Sequence, residues 1–354
     1  MTAASEVSPR YEIRGALVSD EEQIVAIARH LNTVNLPDDR GDLQQILALS
    51  EKSFTGAVPP TRRQYVFALV DRAEGQIIGT SMIFGQLGRK DAPYIYLDVI
   101  DEERYSATLD RHFKHTVLSI GYSYNGPTEI GGLVLDPKRR RVPERLGTFL
   151  SYIRFLFIKM HREAFRGEVL AELLPPLEKD GTSHLWDALG RHFTDLSYAE
   201  ADKLSRQNKE FIRGLFPEGT IYASLLPRQA QDVIGKVGAQ TRGVEKLLRR
   251  IGFRYAERVD PFDGGPHFTA PTDEISLVEE TMERQIGALL DPAALPRQRA
   301  LVAVDLPAAP FFRSLLAPIE LTRDPAGVSC AICPADAEVL GVSVGDWIWA
   351  LPLD

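Results

Sequence analysis

The chain has 354 residues, long enough for two domains or for one large domain with an appendage. Hydrophobic residues at 44% and charged residues at 25% exclude wholesale disorder, and 41 Lys and Arg against 49 Asp and Glu leave a formal net charge of −8, which argues against a general nucleic-acid binder. Two cysteines, Cys330 and Cys333, are too few for a disulfide framework, the opening MTAASEVSPR lacks the apolar stretch of a secretory leader, and Arg154 and Lys159 break FLSYIRFLFIKM, the best candidate for a membrane span. The expectation is a cytoplasmic, core-forming protein with no nucleic-acid or membrane partner.

YEIRGALV (11–18) alternates as a strand does. Ser19 with Glu22 makes a capping-box pattern ahead of Ile24, Ile27, Ala28 and Leu31 at helical spacing. A second helix is expected at about 40–54, with Leu43, Ile46, Leu47 and Phe54 on one face. QYVFALV (64–70) and QIIGTSMIF (76–84) flank the turn DRAEG as a hairpin, and further strands are expected at 93–100 and 129–135. A basic, Pro-containing loop then leads to the strongest helix, whose Leu146, Phe149, Leu150, Ile153, Leu156, Phe157 and Met160 share one face. A strand at 168–173, several helices, a helix over 244–253 and a strand over 253–259 follow. The order predicts an α/β (α+β) fold, a mixed sheet flanked by helices rather than a regular doubly wound repeat. RALVAVDL, GVSCAIC and GDWIWALPLD read as short strands of a small β-rich module. The expected division is a main domain over 11–275, a connecting helix over 276–298 and the small module over 299–354.

The stretch DPKRRRVPERLGTFLSYIRF (136–155) is the most informative. A strand ends at Leu135, the loop carries Lys138, Arg139, Arg140, Arg141 and Arg145, and Gly147 opens the helix. Free N–H groups at a helix start, with the helix dipole behind them, suit an anion such as a pyrophosphate, and arginines add charge-assisted bonds. The alternative is a solvated basic loop, which most short charge runs are. Cys330-x-x-Cys333 has no second pair, so a four-ligand zinc site would need histidines from elsewhere. It reads as two small buried side chains, and no metal is expected.

This strand–loop–helix resembles the acyl-CoA site of GNAT-type N-acyltransferases. Their Arg/Gln-x-x-Gly-x-Gly/Ala pattern aligns with Arg140 or Arg141 through Arg145, Leu146 and Gly147, with Arg in the first glycine position and a longer loop. LPRQAQDVIGKVGAQT (226–241), GFRYAERVDPFDGGP (252–266), EIGGLVLDP (129–137), GTFLSYIRFLF (147–157) and DGTSHLWDALGRHF (180–193) are similar in order and spacing to the arginine N-succinyltransferase family of bacterial arginine catabolism. The resemblance covers nearly the whole chain. It implies transfer of the succinyl group of succinyl-CoA, or of another acyl-CoA, to the α-amino group of arginine or a related amine, with no permanently bound cofactor. It implies acyl-CoA contacts at Leu133, Arg139, Arg140, Arg141, Leu146, Gly147 and Thr148, and a homo-oligomer or a hetero-oligomer with a paralogue.

Two positions depart from the family pattern. Where the family has a proton-donating His in Val-His-Pro-(Gln/Arg)-Thr, this chain reads Val237-Gly238-Ala239-Gln240-Thr241. Where the family continues Ala-Glu-Met-Arg-Gly, this chain has Ala171-Glu172-Leu173-Leu174-Pro175, and Leu174 cannot bind a carboxylate bidentately as Arg does. His184, Glu172, Tyr222 and Asp232 are the candidates for the missing acid–base function, each with an ordinary packing or surface alternative. His267 is equally ambiguous, and Asp263, Gly264 and Gly265 read as a turn between two strands. The alternative to an active enzyme is a catalytically impaired member serving as an acyl-CoA-binding partner subunit.

Overall fold

The computed structural model describes residues 8–29, 39–90, 92–140, 142–178, 181–321 and 328–353. The expected helical position Leu31 and the loop residue Arg141 lie outside them. The described chain forms two compact units: residues up to Gly85 with Ile130–Phe165 and everything from Asp273 on, and Gln86–Glu129 with Arg166–Thr272.

In the first unit the strands stand in the order Glu320–Leu321, Ser329–Ile332, Met282–Leu289, Trp347–Leu353, Arg299–Asp305, Phe312–Pro318, Tyr11–Gly15, Gln64–Asp71, Gln76–Phe84 and Thr128–Leu135 from Ile130 on. Tyr11–Gly15 pairs antiparallel with both Phe312–Pro318 and Gln64–Asp71, so N-terminal and C-terminal strands are neighbours. Helices Glu21–Ala28 and Arg40–Phe54 bury Ile24, Ile27, Leu43 and Leu47 against Val66, Ala68 and Met82. Leu146–Met160 is buried beyond its apolar face, for Ser151, Tyr152, Arg154, Phe155 and Ile158 are also covered. Arg154 turns back on its own helix, its guanidinium donating to Ser151 O at 3.0 Å and Ser151 Oγ at 2.8 Å.

Phe157 ties this unit together. Its ring meets Phe54 at 5.6 Å, Tyr65 at 4.8 Å, Phe67 at 5.1 Å and Phe312 at 5.2 Å between centroids, all edge to face. Such contacts exploit the positive ring edge against the negative face. Phe312 belongs to the tail strands, so the tail shares a core with residues near the N-terminus.

In the second unit the order is the first two residues of Thr128–Leu135, then Glu168–Glu172, Pro266–Pro271, Arg254–Val259, Tyr94–Ser106, Arg111–Ser123 and Ile221–Tyr222. Trp186 anchors the helical layer, stacked on Phe262 at 5.0 Å and donating its indole N–H to Leu196 O at 2.9 Å.

The mixed sheet flanked by helices agrees with the expected fold class, and several details differ. The strand expected at 93–100 runs over Tyr94–Ser106 and pairs along its whole length with Arg111–Ser123, which the sequence pattern does not reveal. The outer half of this hairpin is exposed, so no apolar alternation marks it. The segment 276–298, expected to be a connecting helix, is helical only over Ser276–Glu280. Met282–Leu289 is a strand, antiparallel to Trp347–Leu353 and parallel to Ser329–Ile332. Long-range pairing decides that segment over local preference. The tail also contains Phe312–Pro318 and a helix, Pro334–Leu340, that the sequence reading leaves out.

Replacing Phe157 by Ala is expected to cost about 3–5 kcal/mol of stability in urea unfolding, the usual loss for a buried aromatic. Phe113→Ala on the exposed hairpin should stay within about 0.5 kcal/mol of the parent. Similar losses for both would show that the aromatic cluster does not hold the first unit.

Candidate functional site

The phosphate-binding candidate belongs to the first unit. Inside the strand ending at Leu135, Gly132 has φ +55, and a Cβ there would lie 2.5 Å from Met82 Sδ. Glycine alone takes this φ without strain and leaves room for the Met82 side chain to approach the backbone. Leu133 follows it and is half-buried. The Asp136 carboxylate accepts from the Lys138 N–H at 2.9 Å and fixes the turn Pro137–Arg139. Arg145 adopts φ 52 and ψ 46, a left-handed cap from which Leu146–Met160 starts. Leu146 is buried while Gly147 and Thr148 are half-buried. In this first turn the Thr148 and Phe149 N–H groups both donate to Arg145 O, at 2.8 and 3.2 Å, and the amides of Leu146 and Gly147 come before the first bonded position of the helix.

The arginines of the loop are not equivalent. Arg139 is held by Glu74 at 2.6 Å and by the fully buried Asp71 at 3.4 Å, where Arg10 also binds at 2.8 Å. It braces the loop. Arg140 donates through Nε to Leu135 O at 3.3 Å and is otherwise exposed, as are Lys138 and Arg145.

The second unit holds a cluster of titratable groups. Glu172 ends its strand in register with His267, which opens the neighbouring one. His267 is fully buried, with Nδ1 2.6 Å from the Tyr94 hydroxyl oxygen and Nε2 3.5 Å from Glu172 Oε1. Asp260 follows Arg254–Val259 and accepts from the Phe262 N–H at 2.7 Å and the Asp263 N–H at 3.2 Å. Asp263 in turn accepts from the Gly265 N–H at 2.7 Å, within the turn the sequence pattern predicts. Donor atoms of Glu172, Asp260 and His267 all lie within 4.8 Å of one another, a spacing that would surround one small cation, an ammonium group included.

Burial controls the protonation of this cluster. It raises the Glu172 carboxyl above its usual range, against the pull of Lys209. It raises Asp260, helped by the charge of Glu172, and lifts Asp263 well above normal, helped by Asp260. It pushes the His267 imidazole down to about 4, so the ring is neutral near pH 7. Each effect is the cost of holding charge away from water.

Of the four acid–base candidates, the structure brings only Glu172 into this cluster. His184 pairs with Glu178 at 2.8 Å near the surface. Tyr222 donates to Glu102 Oε2 at 3.0 Å and accepts from Arg104 at 3.1 Å beside the exposed hairpin. Asp232 forms an exposed pair with Arg228 at 3.0 Å. Tyr94 and Asp260 escape sequence reasoning because each looks like an ordinary strand or turn residue, and only the antiparallel pairing of distant segments joins them to Glu172. Gly238 has no room for a side chain. Its N–H donates to Leu174 O at 2.8 Å, and a Cβ would fall 2.6 Å from Pro175 O.

Cys330 and Cys333 are buried free thiols that burial raises to about 11, and Cys333 Sγ is 3.0 Å from Asp336 at the start of Pro334–Leu340. Among the described residues, no helix is long and apolar enough to cross a membrane.

Comparison with known proteins gives this geometry its context. The family model described as Arginine N-succinyltransferase beta subunit matches residues 11–277. The Arginine N-succinyltransferase of Yersinia pestis is 31% identical over 318 residues, 88% of each chain. The Arginine N-succinyltransferase subunit beta of Pseudomonas aeruginosa is 32% identical over 272 residues, 76% of this chain and 79% of that protein. The solved structure of arginine/ornithine succinyltransferase subunit AI from Pseudomonas aeruginosa superposes with a TM-score of 0.80 at 26% identity, covering 97% of this chain and 98% of that one. With a family model over most of its length and relatives above 30% identity over nearly nine-tenths of it, the chain belongs to the arginine N-succinyltransferase family.

Proposed function

We propose that this protein transfers the succinyl group of succinyl-CoA to the α-amino group of arginine or a related amine such as ornithine. The reading is carried by the 31% identity to a protein named Arginine N-succinyltransferase over 88% of both chains. In this reading Lys138, Arg140 and Arg145 meet the CoA phosphates and the first turn of Leu146–Met160 adds its amides. The backbone around Gly132 and Leu133 lies against the pantetheine arm. Arg139 acts through the fold, keeping the loop in place from its pairs with Glu74 and Asp71.

The chemistry asks for modest help. A free α-amino group titrates near pH 8, so a base of moderate strength delivers the neutral nucleophile, and a thiolate is a tolerable leaving group. Acyl-CoA is polyanionic and does not cross a bilayer unaided, so the enzyme of this reading works in the cytoplasm, as a homo-oligomer or with a paralogue. Gly238 is the observation that favours the second reading, a partner subunit that keeps acyl-CoA binding without turnover.

Release of free thiol from succinyl-CoA in the presence of arginine is the direct test, with acetyl-CoA, propionyl-CoA and ornithine as alternatives. Turnover is expected. Acyl-CoA binding without turnover for every pair supports the partner-subunit reading.

The combined Lys138→Ala and Arg140→Ala variant should raise the KM for acyl-CoA about tenfold with kcat little changed, because phosphate contacts serve substrate and transition state alike. An unchanged KM would remove the loop from the site. Gly238→His should lower the unfolding temperature and bring no gain in rate, since its Cβ would collide with the Pro175 carbonyl. A faster, equally stable Gly238→His enzyme would show that the segment yields to make room.

A further inference from the structure

His267 is completely buried, yet its Nε2 makes no hydrogen bond and faces Glu172 Oε1 at 3.5 Å. An unpaired ring nitrogen inside a protein is unusual and asks for an explanation. Its other nitrogen meets the Tyr94 hydroxyl at 2.6 Å. A buried phenol keeps its proton, all the more because burial raises Tyr94 far above its usual range, and Nδ1 is there to accept it. A neutral imidazole that accepts at Nδ1 carries its proton on Nε2. The Nε2–H therefore points toward the Glu172 carboxylate across a gap slightly too long for a bond.

Glu172 itself is partly open to solvent, its side chain 33% exposed, and a carboxylate oxygen of Asp260 lies within 4.8 Å of its own. Two carboxylates around one opening receive a cation that has protons to give up. We propose, resting on the arginine N-succinyltransferase reading, that Glu172 is the base that deprotonates the acceptor ammonium, that Asp260 shares the incoming cation, and that His267, fixed by Tyr94, is a positioning residue that presents its Nε2–H to Glu172. An imidazole thus serves the reaction from the strand opposite Glu172, although position 238 has none.

The step balances as follows. Glu172 takes one proton from the ammonium and frees the nitrogen lone pair. The nitrogen attacks the thioester carbonyl carbon, a C–N bond forms, and the C–S bond breaks with its electron pair on sulfur. The nitrogen then loses a second proton. One of the two protons ends on the sulfur as CoA thiol and the other in water.

The surroundings of Glu172 set its basicity. Burial favours the protonated form of Glu172 and Lys209 opposes it, while the Glu172 charge in turn raises Asp260 and Asp263. Burial, with smaller help from Arg258 and Lys209, keeps the imidazole neutral against the pull of Asp260. Glu129, on the strand beside Glu168–Glu172, and Tyr96 bear on Tyr94 and help it hold its proton. With the carboxyl raised by burial, Glu172 is a stronger base than a free glutamate.

Steady-state rates with succinyl-CoA and arginine across pH test the assignment on the full chain. Glu172→Gln should lower kcat/KM for the amine by about 10²–10⁴-fold while calorimetric binding of succinyl-CoA persists. His267→Ala should move the acidic limb of the pH profile to higher pH, because a carboxylate deprived of a donor holds its proton more tightly. His267→Gln, which restores an N–H, should bring the limb back. Tyr94→Phe, the milder change if His267→Ala fails to fold, should shift it in the same direction as His267→Ala by freeing the tautomer. An acidic limb unmoved in both His267→Ala and Tyr94→Phe, or wild-type rates in Glu172→Gln, overturns the proposal. Stimulation of the wild-type enzyme by zinc or manganese, lost in Glu172→Gln, overturns it in favour of a metal ion. A wild-type protein that turns over no acyl-CoA with any amine overturns the underlying reading, and the proposal with it.

Discussion

Gathering three carboxylates, buried Asp263, half-buried Asp260 and partly exposed Glu172, around one buried imidazole is the constraint on which the second unit depends. Desolvating one ion costs several kcal/mol even after relaxation, and hydrogen bonds and opposite charges must offset it. Asp260 and Asp263 are offset by backbone N–H groups of their own turn. Glu172 faces His267, whose Nε2 stands 3.5 Å away, and the more distant Lys209. The first unit manages buried charge differently. Asp71 is met by Arg10 and Arg139, Arg14 pairs with Asp20 at 2.6 Å, and Glu12 meets Arg313 at 3.2 Å. Charge neutralised inside the fold serves the fold. Charge left partly open calls for a ligand, and a cationic amine has the sign and the protons that the opening at Glu172 suits.

The fold was legible in the sequence wherever local pattern and tertiary burial agree. The 15-residue helices Arg40–Phe54 and Leu146–Met160 follow their apolar repeat, and the hairpin Gln64–Asp71 with Gln76–Phe84 follows its two apolar runs around a turn. Legibility fails where an element is defined by its partner. Arg111–Ser123 has an exposed, charged outer half and is a strand because Tyr94–Ser106 lies beside it. Met282–Leu289 sits between two strands from the far end of the chain, and no local signal announces either neighbour. The start of the first helix shows the same limit on a small scale. The cap position of Glu21–Ala28 is Asp20, not Ser19, and its carboxylate, instead of capping that helix, accepts the Leu17 N–H at 2.8 Å while paired with Arg14.

The candidate site was legible in part and for the same reason. A basic loop before a helix start is contiguous, so its residues stand together in the sequence, although their division into one brace and several exposed cations needs the positions of Glu74 and Asp71. The acid–base cluster is assembled from Tyr94, Glu172, Asp260 and His267, drawn from separate strands and one turn. Motif reading reaches Glu172 through family resemblance and leaves His267 undecided, because an imidazole acquires meaning only from what lies against each of its nitrogens.

The two positions that depart from the family pattern lie side by side in the fold, in contact through their backbones. Leu174 and Pro175 present their carbonyl oxygens to the segment around Gly238, where the Gly238 N–H and the Thr241 hydroxyl both donate to Leu174 O, at 2.8 and 3.0 Å. The Pro175 carbonyl approaches so closely that any Cβ at 238 would force the backbone apart. Backbone-to-backbone contact of this kind replaces side-chain chemistry with packing. It also fixes the chain just beyond Glu172, since the N–H of Leu173, between Glu172 and Leu174, donates to Pro266 O at 3.1 Å, immediately before His267. The contacts at position 238 and the Leu173–Pro266 bond thus lie on successive residues of the chain leaving Glu172. A Cβ at 238 would press on the Leu174 and Pro175 carbonyls, two and three residues beyond the Glu172 that stands in register with His267.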